Sequence, residues 1–425
     1  MRLISKKMRR KNERGVALLL VLGSIVMLTM LTVDFAFNQQ TEYQMADYQI
    51  KRLQAEYLAR SSMNLMWLEM KYNQMAKSTV ASAGLDSQIS FDLSVPLCEQ
   101  FPLSSGLLRA VASGAGLPGA GEGEGEEAAK EGSVEEKAKL FSGMGVMGGE
   151  EFLNFEGDFD GECGDESGKI DLNYFYSLDP TQRVEKGENG YDRYKKLILY
   201  LLSQEKFRPL FENRDPSLPE IVRNLADWVD KDDRVNEFGG TAIGSEDSEY
   251  IGETSLGTKN GKMTTPWDVY QVAGITDDWW IPVQDMFTIY GGGKVNVCRA
   301  PDDVVVATIL QYVASREDLP PIRSEDTETL SALVDTVKNS CQGVRPDPNQ
   351  IATDLNTKLA ELMRVEITGG GKEFADNIAT QSRFFFFRTA GQVGDVVVRL
   401  TAVLDFGQGS GTDTSKWKLL YWRMD

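Results

Sequence analysis

The residues best suited to chemistry are seven carboxylates that fall within 23 residues of one another, around a glycine-rich loop. They are Asp227, Asp230, Asp232, Asp233, Glu246, Asp247 and Glu249. So many like charges held together in a fold need a counter-ion, and hard oxygen ligands in a flexible loop suit Ca²⁺. We expect a calcium site whose ligands are Asp230, Asp232, Asp233, Glu246 and Asp247. A solvated acidic face is the alternative interpretation.

A second acidic segment, Asp158 to Glu162, begins like the calcium-binding loop of an EF-hand. It lacks the glycine of loop position six, where Cys163 stands, and the glutamate of position twelve, where Lys169 stands. This segment is therefore a weak candidate for a second site.

The chain contains no histidine, which removes the usual general base, the usual zinc ligand and the usual pH switch. Gly291 to Gly293 could cradle a phosphate, but no Lys-Ser/Thr pair follows in P-loop order, and a turn is favoured. A membrane-anchored hydrolase would depend on carboxylate pairs, none of which can be distinguished from the calcium cluster. We therefore expect no enzymatic activity.

Four cysteines, Cys98, Cys163, Cys298 and Cys341, show no C-x-x-C spacing that would indicate zinc or redox chemistry. Their even number, on a part of the chain expected to be exported, predicts two disulfides. Three pairings are possible. Cys98 with Cys163 and Cys298 with Cys341 is favoured, because each bond then stays within one expected domain, and four reduced, buried thiols remain the alternative.

A basic leader precedes a long apolar segment at the start of the chain. Residues 1–15 carry seven Lys/Arg and one Glu, and Val16 to Val33 contains no charged side chain. Eighteen helical residues span about 27 Å, close to the thickness of a bilayer's hydrocarbon core. The positive charge should hold the leader in the cytoplasm, so we expect a single-pass protein of the bacterial inner membrane with its globular part in the periplasm.

The leader resembles the class III signals of type IV pilins and type II secretion pseudopilins, which a prepilin peptidase cuts after a glycine. Here the cut would fall between Gly15 and Val16. The fifth mature residue would be Leu20, where most members of that superfamily carry Glu. The K-type minor pseudopilin is the member that lacks this Glu. An uncleaved signal anchor is the alternative.

Removing the leader changes the formal charge from −19 to −25, because seven basic residues and one acidic residue are lost. A surface this acidic repels phosphate backbones, so we expect no nucleic-acid partner. Basic partners or divalent cations fit better.

The remaining patterns predict an anchor helix, a divided sheet domain and a helical insert. Residues 38–76 contain no Gly or Pro and have apolar residues at helical spacing, and Gly- and Glu-rich residues 104–150 predict a disordered loop. Strand patterns occur at residues 89–93, 151–155, 364–368, 383–389, 395–406 and 416–422. Helical patterns dominate between residue 170 and about residue 345. The expected fold class is α+β.

We expect five parts along the chain. They are a leader at 1–15, the transmembrane part of the first helix at 16–37, the first part of the sheet domain at 38–169, a helical insert at 170–345, and the C-terminal strands at 346–425.

Three segments, in order, resemble the K-type minor pseudopilin of type II secretion. Gly168 to Asn173 is similar to its Gly-Lys-Ile-Asn-Leu-Asn string. Leu225 to Asp233, followed by Gly244 to Tyr250, is similar to its Asp-Trp-Ile-Asp-x-Asp-Asp and Gly-Ala-Glu-Asp-x-Tyr strings. The third segment consists of Val272 to Thr276 and Tyr290 to Pro301. It is similar to the region of the family's Tyr-Gly-Gly-Gly-Lys-Ile-Asn-Val-Asn-Thr-Ala-Pro string, although Cys298 and Arg299 replace the Asn-Thr.

This resemblance implies a type IV pilin-like fold, in which a long N-terminal helix packs on an antiparallel sheet, with a large, mainly α-helical insert of SAM-like or helix-hairpin-helix-like type. It implies calcium in the insert and a position at the tip of the secretion pseudopilus. The implied partners are the I- and J-type minor pseudopilins, the prepilin peptidase that processes the chain, and the lipid bilayer of the inner membrane. A minor pilin of a type IV pilus is the alternative, against which Leu20 and the three segments stand.

Overall fold

The computed structural model describes residues 3–83, 95–100, 103–112, 155–182, 188–239, 242–250, 257–343, 345–369, 371–407 and 414–425. The strand predicted at residues 89–93, most of the strand predicted at 151–155, and residues 113–150 of the expected loop lie outside these ranges.

One continuous helix, α1 (Leu3–Ala83), contains the leader, the apolar segment and the predicted 38–76 helix. Its apolar segment is fully exposed, and by length and composition this helix could cross a membrane. Farther along, Ala55, Ala59, Met63, Met66 and Met70 are buried at intervals of three or four residues. This spacing places them on one side of the helix, which packs on the sheet.

The first part of the sheet domain follows α1. Its elements are α2 (Leu97–Gln100), β1 (Leu103–Ser104), α3 (Ser105–Ala112) and β2 (Asp158–Asp165). The disordered loop was therefore predicted to start too early. Leu103 and Ser105 are buried and Leu108 packs on the sheet core, and residues 105–112 form α3 rather than a loop.

The helical unit comes next, and its elements are short apart from five longer helices. In chain order they are β3 (Ile170–Asp171), α4 (Gly190–Leu202), α5 (Arg208–Phe211), α6 (Leu218–Val229), β4 (Arg234–Asn236), β5 (Ala242–Ser245), α7 (Asp277–Trp280), β6 (Phe287–Thr288), β7 (Val295–Asn296), α8 (Asp302–Ala314), α9 (Thr327–Asn339), α10 (Pro348–Met363), α11 (Lys372–Asn377) and β8 (Ile378–Ala379). Short 3₁₀ helices occupy Leu172–Ser177, Glu246–Tyr250, Pro266–Gln271 and Gln284–Met286.

The helical unit extends to residue 379, not to residue 345 as the sequence predicted. Ile351, Leu355 and Leu359 of α10 are buried in the same core as α4 and α6, and β8 pairs with β7. The strand predicted at residues 364–368 does not form. Thr368 instead donates both its backbone N–H and its hydroxyl to Asp318, so this segment is tied to the helical unit by a side chain.

Three long strands complete the sheet: β9 (Phe384–Val393), β10 (Val396–Asp405) and β11 (Lys418–Met424). A 3₁₀ turn at Thr414–Lys416 precedes β11. The strand order is β1-β2-β9-β10-β11, and every neighbouring pair is antiparallel. Phe385, Phe387 and Leu400 point toward α1 and form the core with it. Gly391 allows the closest approach, because a Cβ there would lie 2.0 Å from the Ala55 carbonyl oxygen. The predicted α+β fold, with a long helix packed on an antiparallel sheet, is confirmed.

The first and third sequence segments pack against each other where the two units meet. A Cβ at Gly168 would lie 2.7 Å from the carbonyl carbon of Arg299, so only glycine fits there. The Asn296 backbone N–H donates to the Ser167 carbonyl at 2.8 Å, and the Asn173 amide donates to the Ile289 carbonyl at 2.8 Å. The unusual residue types of both segments therefore have a structural role at this junction.

Two disulfides join Cys98 to Cys163 and Cys298 to Cys341, which is the pairing that the sequence favours. The first ties α2 to β2 in the sheet domain, and the second ties the segment after β7 to the end of α9. An ion pair between Glu99 and Arg299, the residues that follow Cys98 and Cys298, connects the two units.

Candidate metal centre

Helix α6 brings the second sequence segment into the core of the helical unit. Ser217 caps its first turn, with its backbone N–H donating to the Glu220 carboxylate at 2.8 Å. Asp230 caps its last turn, with its N–H donating to the Ala226 carbonyl. Asp227 and Asp230 are three residues apart, so they share one side of the last turn. The β4–β5 hairpin then returns the chain so that Glu246 reaches the same place.

Asp227, Asp230 and Glu246 each offer a carboxylate oxygen to one point, and the three oxygens lie within 4.8 Å of one another. All three residues are buried. Two of the carboxylates sit at the C-terminal end of α6, where the helix dipole adds further negative charge. The cluster therefore concentrates negative charge in a place that water hardly reaches.

Several oxygens of the cluster lack a hydrogen-bond donor. Asp230 Oδ1 and both oxygens of Glu246 have no partner among the described residues. Buried polar atoms are nearly always paired, so oxygens that converge on one point without a donor are suited to holding a cation.

Burial raises the pKa of Glu246 to about 9, and the neighbouring Asp230 and Asp227 carboxylates add to the rise. Burial also raises the pKa of Asp227 and of Asp230 to about 7 each. Without a cation, the three groups can stay together only by holding protons. A divalent cation would replace those protons and bring the pKa values down.

The buried cation Lys195 does not neutralise this charge by direct contact. Lys195 is fully buried, but its Nζ lies 3.0 Å from Asp192 Oδ1 and donates to the Asn236 carbonyl at 2.7 Å. Its charge lowers the pKa of Asp227 only in part. Asn236 also supports the cluster, since its backbone N–H and its amide donate to Asp227 and Asp230 at 3.3 and 3.1 Å.

The donor set fits Ca²⁺. Carboxylate oxygens are hard ligands, and a carboxylate can bind Ca²⁺ through one or both oxygens, which helps three side chains to supply much of its 6–8 coordination. Asp227, Asp230 and Glu246 would be the protein ligands. The absence of histidine from the chain, together with the engagement of all four cysteines in disulfides, makes a zinc site of the usual type unsuitable.

The structure brings together only two of the five predicted ligands, Asp230 and Glu246. Asp233 accepts a hydrogen bond from the Asn260 amide at 2.6 Å, and Asp247 accepts one from the Thr258 backbone N–H at 2.9 Å. Both are exposed and brace the loop around the centre.

Asp232 accepts a hydrogen bond from the Arg234 backbone N–H at 2.9 Å and contacts the Asn236 amide, so it too supports the hairpin. Asp227 was missed as a ligand, although its spacing of three residues from Asp230 on a predicted helix places the two together. The weaker candidate, Asp158 to Glu162, forms part of β2, and Asp158 pairs with Arg109 at 2.7 Å. A strand cannot provide an EF-hand loop.

The residues of the expected processing site lie on α1. A Cβ at Gly15 would meet no atom within 4 Å, and Val16 and Leu20 are exposed, Leu20 by 70%. Nothing in the described part of the chain covers this segment.

No protein-family model and no curated protein matches this chain. Its structure is similar to a solved structure of the GspK-GspI-GspJ complex from the type 2 secretion system of enterotoxigenic Escherichia coli. The match has 14% sequence identity, covers 64% of this chain and 80% of that chain, and has a TM-score of 0.42. That complex is a structural neighbour, and values this low carry no inference about function.

Proposed function

We propose that this chain is a K-type minor pseudopilin, a membrane-anchored subunit at the tip of the short periplasmic filament that drives protein export by type II secretion. The proposal rests on two properties of the three family-like segments: their order along the chain and their structural roles in the fold. The first and third hold the helical unit to the sheet domain, and the second contributes the carboxylates that would hold the metal.

The membrane part of the proposal rests on the leader and the apolar segment. The basic leader favours a cytoplasmic N-terminus, and α1 has the length and composition of a single membrane span. A prepilin peptidase would cut between Gly15 and Val16 before the subunit leaves the inner membrane. The sheet domain, the helical unit and both disulfides would then lie in the periplasm, where disulfides persist.

The tip position rests on Leu20 and on the helical unit. In the pilin superfamily, the Glu at the fifth mature position is taken to neutralise the N-terminal amine of the neighbouring subunit. Leu20 is apolar and cannot make this contact, which suits a subunit that has no neighbour above it. The large helical unit between β2 and β9 would obstruct the stacking of further subunits.

The partner interface lies on the part of α1 between the membrane and the sheet. Tyr43, Ile50 and Tyr57 are exposed and seven residues apart, so they form an apolar stripe along one side of the helix. We call these three residues the stem stripe. Buried Ala55 and Ala59 lie on the other side, against the sheet. Apolar residues at heptad spacing are typical of helices that pack against other helices, here those of the I- and J-type minor pseudopilins.

Calcium would stabilise the helical unit in this proposal. By replacing the protons of Asp227, Asp230 and Glu246, it would fix the end of α6 to the β4–β5 hairpin. Its role is structural.

A secretion assay in a strain that lacks the chromosomal copy tests the proposal. Ser167 and Ser382 can be joined directly to delete the helical unit, because the Ser167 hydroxyl accepts hydrogen bonds from the backbone N–H groups of Arg383 and Phe384. We expect wild-type protein to restore secretion and the deletion to change the length or number of filaments. Leu20→Glu should have little effect, since a tip subunit has no use for that carboxylate. If both variants behave like wild type in secretion and in filament imaging, the tip position is wrong.

A further inference from the structure

A cleft of about 470 Å³ lies between the helical unit and the face of the sheet that points away from α1. This volume is within the range of about 300–1,000 Å³ found for small-molecule sites, which often form between two structural units. The metal centre does not contribute to it, because none of Asp227, Asp230 and Glu246 lines the cleft.

The sheet provides one wall. Arg388, Thr401 and Arg423 stand side by side on β9, β10 and β11, and Val403 and Tyr421 form the next row. The backbone groups between these strands are already paired in the ladder. Only side chains of the sheet face are therefore available to a bound molecule.

The helical unit provides an aromatic platform on the other wall. The rings of Trp267 and Tyr270 are stacked, with centroids 6.0 Å apart and planes at 21°. Trp267 is 61% exposed, although a ring of this size gains much from burial. Gln284 and Asp285 line the same side of the cleft and are exposed. A flat apolar surface thus lies beside polar groups that can donate and accept hydrogen bonds.

Each cationic side chain that lines the cleft is paired with a carboxylate. Lys169 Nζ lies 2.6 Å from Glu166, and Arg423 Nε lies 2.9 Å from Asp425. Arg388 pairs with Glu162 at 3.3 Å. A phosphate or another anion would need cations that are not already neutralised, so the cleft does not suit one.

Tyr290 adds an unpaired polar group at the floor. Its ring tilts against that of Tyr421, with centroids 6.0 Å apart, and its buried hydroxyl has no partner among the described residues. A buried hydroxyl normally has a hydrogen-bond partner, from water or from a ligand where protein provides none.

From these features we propose that the cleft binds a neutral oligosaccharide. The C–H faces of a sugar ring carry a small positive charge and pack on the negative face of an aromatic ring, here Trp267. Sugar hydroxyls both donate and accept, so they match paired charges such as Arg423 with Asp425, the exposed Asp285, and the free hydroxyl of Tyr290. A peptide strand fits less well, because its backbone would find no unpaired backbone groups on the sheet face.

The test uses the full-length protein in a zwitterionic detergent, since alkyl glycoside detergents carry a sugar themselves. Maltotriose, cellotriose and tri-N-acetylchitotriose are titrated separately, and binding is followed by calorimetry and tryptophan fluorescence. Inorganic phosphate is titrated as the anionic probe. The variants are Trp267→Ala, Trp267→Phe and Tyr290→Phe. The control is Trp422→Ala, which removes a 40% exposed indole from the opposite face of β11.

We expect at least one trisaccharide to bind, Trp267→Ala to weaken its affinity by about tenfold or more, and Trp267→Phe to retain most of it. Trp422→Ala should bind like wild type, and the sugar that binds identifies the glycan class. Because Trp267 is exposed, its removal should not affect folding, which a melting curve checks. The proposal is overturned if no trisaccharide binds at millimolar concentration, if Trp267→Ala and Tyr290→Phe both bind it as wild type does, or if phosphate binds and the sugars do not.

Discussion

The hydroxyl of Tyr191 lies between two carboxylates of the candidate metal centre, 2.5 Å from Asp230 Oδ2 and 3.2 Å from Asp227 Oδ1. It is neutral and has a single proton to donate, so it can hold these two groups in place but does not neutralise their charge. Burial raises the pKa of Asp230 to about 7, and the hydrogen bond from Tyr191 opposes part of this rise.

Tyr191→Phe should therefore destabilise the folded protein by about 1–3 kcal/mol, the range for losing a hydrogen bond to a charged or buried group. Tyr194→Phe is the matched control, because the Tyr194 hydroxyl is equally buried but donates to the neutral Asp171 carbonyl, at 2.9 Å. We expect a smaller loss there, of about 0.5–1.5 kcal/mol. Unfolding by denaturant measures both. Equal losses would show that the carboxylates do not depend on Tyr191.

Calcium should raise the melting temperature of the full-length protein in detergent, and a chelator should lower it. A ligand that binds only the folded state adds about 2.7 kcal/mol at a hundred times its dissociation constant. Magnesium should substitute poorly, because it demands tighter octahedral geometry.

Glu246→Gln should abolish the calcium effect, whereas Asp247→Asn should retain it, since Asp247 bonds to Thr258 outside the cluster. A melting curve that calcium and chelator leave unchanged would reject the site. An effect lost equally in both variants would mean that the ligands are not those of the cluster.

Without metal, stability should fall as the pH rises. Burial raises the folded-state pKa of Glu246 to about 9, and that of Asp227 and Asp230 to about 7, while the unfolded values stay near 4. Between about pH 4 and pH 9 the folded state therefore holds protons that the unfolded state has released, and this contribution is lost as the pH rises. Calcium replaces the same protons, so its stabilisation should grow over that range.

Melting curves at pH 5 and pH 8, with chelator and with calcium, measure how stability and its increase by calcium depend on pH. Buried Glu69 and Asp171 have pKa values raised in the same direction, to about 8 and about 7, and they contribute to the slope in the chelated protein. Glu246→Gln separates the cluster's contribution to this slope from that of Glu69 and Asp171. The variant should reduce only the part of the pH dependence that added calcium also removes. A calcium effect that is larger at pH 5 than at pH 8 would be incompatible with these carboxylates as ligands.

Processing should leave Val16 as the first residue of the mature protein. Gly15 is the small residue at the border between the basic leader and the apolar helix. Intact-mass analysis of protein extracted from membranes measures this, and Gly15→Leu should block the cut while leaving the membrane span unchanged. Retention of Met1 in the wild type, or a cut beyond Val33, would refute a pilin-like signal.

The sequence predicted the long elements well, since the predicted 38–76 helix lies within α1 and the strand predicted at residues 395–406 forms β10. It failed where structure depends on distant contacts. Val365 and Ile367 look like a strand, but Asp318 holds the neighbouring Thr368 in an irregular segment, and no local pattern shows this.

The candidate site was predicted in part for the same reason. Charge density located the segment, and helical spacing could have added Asp227 as a partner of Asp230. The sequence could not show that Asp233 and Asp247 turn outward to Asn260 and Thr258, because those bonds depend on the path of the loop. The cleft beside Trp267 could not be predicted at all, since it forms between residues more than a hundred positions apart.

Co-purification of full-length protein with I- and J-type minor pseudopilins from the membranes of cells that express all three tests the central claim most directly. Ile50→Lys places a charge in the middle of the stem stripe, and Gln49→Lys places the same charge about 100° around the helix. We predict a stable three-protein complex that survives Gln49→Lys and is lost with Ile50→Lys. Failure of the wild-type protein to retain either partner, when all three are expressed and processed, would contradict the assignment as a K-type minor pseudopilin.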